Sequence, residues 1–388
     1  MPRPRVCLVG GPDIDARLDL MRLLSPEFDF CAAGTDARHA APFAAAGFPF
    51  RHYRMSRRVN PAFDAYTVWQ LVRMFRAERP AVVHTFDTKP AVWGRLAARL
   101  AGVPVVVATL PGLGSLYGDG DRRSSLTRVV YQRLQTLASH WADLTVFQNA
   151  EDLGEFAQLG VVPRERAAIV PGSGVRTDVF APPASRDRTA ERRAGLGLPR
   201  HGFVVAMVSR VVRSKGVLEF AAAARAVRRE EPHTSFLLAG ATDADSLDAL
   251  TPGELRDVAD SVTWLGPRND VRNLLALSDV FVFPSFYREG LPRVLIEAAS
   301  MALPLVAVDG PGSRDVVEHG VNGLLVPPKD PAAIADAVIR LIHSPELRAR
   351  FGARARERAV SQFDLSVVAE RTRSLYHELL QRKRPEAA

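Results

Sequence analysis

Two carboxylates and two cations carry the chemistry that this sequence offers. Glu289 and Glu297 stand eight positions apart in SFYREGLPRVLIEAASMALPLVA (285–307), and Arg210 and Lys215 stand five apart in VSRVVRSKGVLEF (208–220). The second stretch reads as strand end, loop and helix start near Gly216. A helix N-terminus favours anions through its unpaired N–H groups and its dipole. A guanidinium and an ammonium beside it make a clamp for a diphosphate. The first stretch follows the apolar strand DVFVFPS (279–285); Phe286 to Gly290 is loop, Pro292 suits a first helical position, and Arg293 to Met301 is helix. Glu289 in the loop and Glu297 on the second helical turn are then expected to face one small volume. Carboxylates there would repel a diphosphate, but they accept hydrogen bonds from vicinal hydroxyls, which sugars carry in number. Cations for a diphosphate and acids for sugar and ribose hydroxyls suggest a nucleotide sugar. Taken singly, each of the four also reads as an ordinary solvated charge.

The elements that must position these residues alternate strand, turn and helix. RVCLVGG (5–11), FDFCAAG (28–34), AVVHTF (81–86), PVVVATL (104–110) and DLTVFQN (143–149) each precede a helical segment. The pattern restarts at HGFVVAMVSR (201–210) and runs through TSFLLAG, SVTWLG, DVFVFPS, LPLVAVD and GLLVPP. Short β-branched runs between helices predict parallel sheets covered on both faces. The expected fold class is α/β, with two doubly wound Rossmann-like domains facing a central cleft, over 1–180 and 181–364. The polar, proline-bearing stretch 181–195 is the expected linker, and 365–388 an expected C-terminal helix packing back on the first domain. Ligands in such sheets collect at the carboxyl ends of the strands.

Composition narrows the classes further. The 388 residues are 47% hydrophobic and 24% charged, as in ordinary globular proteins. Cys7 and Cys31 form no CxxC pair, so neither a disulfide framework nor a zinc site is expected. MPRPRVCLVGG enters a strand too early for a signal peptide, and no apolar run approaches the ~18 residues of a membrane span. A cytoplasmic protein is expected. Gly10-Gly11 belongs to no GxGxxG, and Ser214-Lys215-Gly216 lacks the upstream glycine of a P-loop. Asp243-Ala-Asp245, Asp13 and Asp15 read as polar loops, with no metal or other cofactor expected.

Charge is uneven: residues 51–133 hold fourteen Lys/Arg against five Asp/Glu, within a net +8 for the chain. A polyanion or an anionic membrane is the usual partner of such a patch, and a plain arginine-rich surface is the alternative. Within RRSSLTRVVYQRLQTLASHW (122–141), Leu126, Val129, Val130, Leu134, Leu137 and Trp141 recur at helical spacing. That stripe is expected to pack on the sheet, and membrane contact is the alternative.

Arg210, Lys215 and Glu289-x7-Glu297, framed by REGLPRVLIEAASMALPLVAVDGPGSRDVVEHGVNGLLVPPKD (288–330), resemble the donor site of glycosyltransferase family 4, retaining enzymes of GT-B fold. SRRVNPAFD (56–64), RPAVVHTFDTKPAVWGRLAARLAGVPVVVAT (79–109), VFQNAEDLGEF (146–156) and PGSGVRTDVF (171–180) resemble bacterial members that build polysaccharide or lipid-linked oligosaccharide, as in capsule or lipopolysaccharide. The resemblance implies transfer from a nucleotide-diphosphate sugar, a UDP-hexose or UDP-N-acetylhexosamine, to a polyprenyl-diphosphate-linked or other glycan acceptor. It implies Glu289 on the sugar hydroxyls, Glu297 on the ribose, and Gly290 and Leu291 in the same donor site. Arg210 and Lys215 would stabilise the leaving diphosphate, which the Gly10-Gly11 turn lets the first domain approach. The acceptor would lie in the first domain, near Arg54, Arg57, Arg58, His84 and Lys89, at the inner face of the plasma membrane. No nucleic-acid partner is implied. Many relatives carry a histidine where this chain has Thr109-Leu110-Pro111-Gly112; His84 is the nearest substitute, or else a core histidine. The competing readings are a nucleotide-sugar epimerase of similar shape and a binding protein that lost activity.

Overall fold

The computed structural model describes residues 2–56, 60–112, 122–183, 193, 195–196, 198–199 and 201–383. Arg57, Arg58 and most of the expected linker lie outside the described residues, as do the side chains of 122–127, Leu126 among them. The chain divides into two units, Met1–Gly174 with Leu365–Ala388, and Val175–Asp364.

The first unit runs β1 (Arg5–Val9), α1 (Leu18–Leu24), β2 (Asp29–Gly34), α2 (Ala40–Ala45), β3 (Phe50–His52), α3 (Pro61–Glu78) and β4 (Val82–Thr85). It continues with α4 (Thr88–Leu100), β5 (Val105–Leu110), α5 (Arg122–Ser139), β6 (Leu144–Phe147), α6 (Ala150–Gln158) and β7 (Ala167–Ile169). The seven strands are parallel, in the order β3-β2-β1-β4-β5-β6-β7. Every residue of β4, β5 and β6 is buried, as continuous Val-rich runs must be when helices cover both faces. Side-chain caps start the helices: Asn60 accepts from the Phe63 N–H ahead of α3, and Asn149 from the Asp152 N–H ahead of α6. Cys7 and Cys31 face each other across β1 and β2 as free, buried thiols.

The second unit runs β8 (Val204–Val208), α7 (Val217–Glu230), β9 (Ser235–Ala239), α8 (Pro252–Ser261), β10 (Thr263–Trp264), α9 (Val271–Leu277) and β11 (Val280–Phe283). It continues with α10 (Arg293–Ser300), β12 (Leu305–Val308), β13 (Gly323–Val326), α11 (Pro331–His343) and α12 (Pro345–Phe363). Its six-stranded order is β10-β9-β8-β11-β12-β13. The last helix, α13 (Leu365–Arg382), returns to the first unit. There Tyr376 is buried edge-on against Phe28, 5.5 Å between ring centroids, while His377 and Arg373 pair with Glu27. Burying an aromatic side chain this fully is worth about 2 kcal/mol.

Two expectations need correction. The unit boundary falls at Gly174/Val175 and not at 180, because the Val175 N–H donates to Phe363 O at 3.0 Å and Arg356 donates to the Thr177 and Phe180 carbonyls. The apolar stripe of α5 does not face the sheet: Val129, Val130 and Leu137 are about half exposed, whereas Tyr131, Gln135 and Ala138 point inward. The inward phase is polar because Gln135 receives the guanidinium of Arg95, a wholly buried residue of α4 whose pKa burial lowers to about 10. That contact decides which side of the helix turns in.

Candidate active site

Close backbone approaches build the site of the second unit. Beyond β8, residues Arg213–Lys215 form one turn of 3-10 helix, and Gly216 begins α7 at φ 74°. A Cβ at Gly216 would lie 2.2 Å from Pro284 O, so only glycine lets this turn rest on the end of β11. The Phe286 and Tyr287 N–H groups both donate to Ser214 O at 3.0 Å. Asp248, in the loop after β9, accepts from the Ser214 N–H at 3.1 Å and from its hydroxyl. Burial opposes ionisation of Asp248, but hydrogen bonds from Ser214 and Ser246 hold its carboxyl below the usual range. Sequence reasoning missed Asp248, whose only signal is a polar Ser-Leu-Asp loop.

This frame sets the Lys215 ammonium directly against the Glu289 carboxylate, both largely buried. Glu289 also accepts from the Ser285 hydroxyl at 3.3 Å, and the Lys215 ammonium sits 4.9 Å from the centre of the Tyr287 ring. Gly290 carries the loop onward. Its carbonyl would stand 2.6 Å from a Cβ at Gly312 (φ 76°), which packs the 309–314 turn onto this loop. Leu291 is buried in the core beside α10.

The remaining members have other partners. Arg210 is half exposed and pairs with Asp243 at 2.8 Å. Asp243 belongs to the DxD triplet, and among the described residues no group of three His, Cys, Asp or Glu side chains is placed to hold a metal. Glu297, 8% exposed, accepts from Arg293 Nε one turn earlier at 2.9 Å; burial raises its pKa, and Arg293 opposes that shift. Lys215 and Glu289 are therefore in contact, while Arg210 and Glu297 are each engaged elsewhere.

In the first unit, the Gly11 N–H donates to Asp87 Oδ2 at 2.7 Å and the Tyr53 hydroxyl to Gly10 O at 2.8 Å. Asp87, also missed from the sequence, precedes α4 as its N-cap residue at φ 68° and ψ 170°, a strained conformation for a residue other than glycine. Lys89 pairs with Asp64 at 2.8 Å and donates to Ser56 O, while Arg54 is exposed. His84 differs from the acceptor-side expectation. It is buried, and its ring nitrogens meet the Tyr376 hydroxyl and Thr109 Oγ1, each at 2.7 Å. Burial lowers its pKa to about 3. It ties α13 to the sheet.

The chain thus has two doubly wound α/β units, one with a cation held at the head of a helix beside the end of a parallel strand, where ligands of such sheets gather. The sequence matches the pattern of Glycosyl transferases group 1 over residues 188–358 and that of the glycosyl transferase 4-like domain over 20–173. The chain belongs to the group 1 glycosyl transferases, with Rossmann-like units of the GT-B type. It is similar to the UDP-Gal:alpha-D-GlcNAc-diphosphoundecaprenol alpha-1,3-galactosyltransferase of Escherichia coli, at 28% identity over 85% of this chain and 83% of that one. It is 31% identical to the alpha-maltose-1-phosphate synthase of Mycobacterium tuberculosis over 84% of this chain and 87% of that one. The crystal structure of Anabaena HepE in complex with UDP-glucose, 20% identical, matches over 97% of this chain and 100% of that one with a TM-score of 0.79, a likeness of fold.

Proposed function

We propose that this glycosyltransferase moves a hexose or N-acetylhexosamine from its UDP sugar to a polyprenyl-diphosphate-linked or other glycan, with retention, in cell-surface polysaccharide synthesis. The observation that carries the reading is the Lys215–Glu289 pair. A diphosphate oxygen arriving at Lys215 replaces Glu289 as its partner, and the released carboxylate then accepts the sugar hydroxyls. Arg210 turns from Asp243 to the same diphosphate, and Glu297 takes the ribose. In transfer, the bond from the anomeric carbon to the phosphate oxygen breaks as the acceptor oxygen attacks on the same face. The acceptor proton passes to the departing phosphate, so no separate base is needed, and the cations stabilise the charge that develops. The family pattern and the named transferases among its relatives favour transfer over epimerisation.

The acceptor reading places the enzyme peripherally on the inner face of the plasma membrane, through its first unit. Supporting it are the half-exposed Tyr66 and Trp69 of α3, with Arg73 4.9 Å above the Trp69 ring, and the exposed side of α5. Among the described residues no helix is long and apolar enough to cross a membrane.

The test is turnover with a panel of UDP sugars and a lipid-linked acceptor. Lys215→Ala and Glu289→Ala should each lose at least about tenfold, about 1.4 kcal/mol of barrier. Near-wild-type rates in both would remove these residues from the reaction. Interconversion of free UDP sugars without acceptor would select the epimerase.

A further inference from the structure

At the opposite edge of the first unit's sheet, where β6 and β7 begin, lies an open cavity of about 640 Å³. Its charge is mostly positive. Lys383 is paired with Asp143 at 2.7 Å, and Arg382 with Glu378. Arg99, at the end of α4, and Arg166, just ahead of β7, are exposed and have no charged partner among the described residues. Two uncommitted guanidinium forks on one cavity suit a phosphate, which they can hold bidentately.

The rest of the wall is mixed, with His140 and the Glu165 carboxylate beside apolar residues. Trp141 and Leu379 line it, and Trp141 lies in the turn that closes α5. Four-, three- and four-residue steps back from Trp141 reach Leu137, Leu134 and Val130, the side of α5 that turns away from the sheet, where Val130 and Leu137 are half exposed. Leu100, beside Arg99, is 56% exposed on the adjacent helix. The apolar strip therefore leads to the cationic cavity. A free phosphate would use the arginines and leave the strip bare; a molecule with an anionic head and apolar tails would use both. Tryptophan, apolar in body with one polar N–H, suits the boundary between them.

We propose that this cavity is a headgroup site for an anionic phospholipid, with Arg99 and Arg166 on the phosphodiester, Trp141 at the headgroup level, and the outer side of α5 among the acyl chains. The site rests on the peripheral-membrane reading above and specifies where on the first unit the lipid is held. It shares no residue with the candidate donor site.

The experiment uses the full chain, the Arg99→Gln/Arg166→Gln double variant, and Arg229→Gln/Arg354→Gln in the second unit as a charge-matched control. Each is floated with phosphatidylcholine vesicles, with and without phosphatidylglycerol, at low salt. The same proteins are titrated with dihexanoyl phosphatidylglycerol, glycerol phosphate and inorganic phosphate, read by tryptophan fluorescence and melting temperature. The wild type and the control should bind phosphatidylglycerol vesicles and the short-chain lipid, and the double variant should bind both at least about tenfold more weakly. UDP-induced thermal stabilisation should be the same in all three. If the wild type floats with neither vesicle, the peripheral reading itself fails. If it floats with anionic vesicles and the double variant floats equally, the membrane reading stands and this site is overturned. Inorganic phosphate binding as tightly as the short-chain lipid would also overturn it, in favour of a free-anion site.

Discussion

The two units share a sheet grammar, and each ties a turn with a carboxylate on a backbone N–H, Asp248 on Ser214 and Asp87 on Gly11, but only the second adds a backbone approach at that turn that excludes a Cβ. In the second unit the turn after β8 rests on the end of β11 at a distance that excludes any Cβ at Gly216, and Lys215 is delivered to Glu289 by that contact. In the first unit the turn after β1 is tied by side chains, with Asp87 on the Gly11 N–H and Tyr53 on the Gly10 carbonyl. One polar side chain from deeper in that sheet, His84, is spent on anchoring α13. In the second unit the two charged side chains that the turn brings together pair with each other, whereas in the first Asp87 and Tyr53 are committed to backbone groups.

Replacing Gly216 by Ala should give the largest effect on this contrast. A Cβ 2.2 Å from Pro284 O, on a backbone at φ 74°, should cost about 3 kcal/mol and weaken UDP binding. In the first unit, Gly154→Ala has open space inside α6 and should stabilise by about 0.5–1 kcal/mol. Urea unfolding measures both, and equal midpoints would show that the tight approach in the second unit is dispensable.

The next effect isolates the first unit's polar anchor. His84 stays neutral in the fold down to about pH 3, whereas in the unfolded chain it protonates near 6.5. The unfolded state then binds more protons between those values. Stability due to this group is fully present above 6.5 and falls by about 1.4 kcal/mol per pH unit below it. Wild type should therefore lose about 2 kcal/mol more than His84→Gln between neutral pH and about pH 5, measured by chemical unfolding. Parallel slopes would mean that the histidine is not held neutral.

A smaller effect concerns Glu297. Burial raises its pKa, so its unfavourable ionisation in the fold appears as pH rises above the ordinary carboxylate range. Glu297→Gln should match wild type in acid and be more stable, by less than about 1 kcal/mol, at neutral pH. A thermal-melt series against pH checks this. A variant that is less stable at neutral pH would show that the Arg293 contact outweighs desolvation.

Much of this arrangement was legible because it is local. The helix start at Gly216, the loop carrying Glu289 and the helix carrying Glu297 follow from glycine, proline and apolar spacing within short windows. Asp248 and Asp87 were not legible, since each acts across a gap of 34 or 76 positions on a backbone N–H that carries no sequence signature. The outward face of α5 misled for a related reason. Its apolar period is real, but the buried Arg95–Gln135 contact selects a different phase.

The sequence by itself determined the two parallel-sheet units, the residue types of the candidate donor site and the family of the chain, because alternating apolar runs, turn residues and short motifs act over a few neighbours. Only the tertiary structure decided which carboxylate each cation meets, that His84 is an internal strut, and where α13 docks. Those outcomes depend on packing between residues far apart in the chain, where burial and competing partners, not spacing, set the free energy.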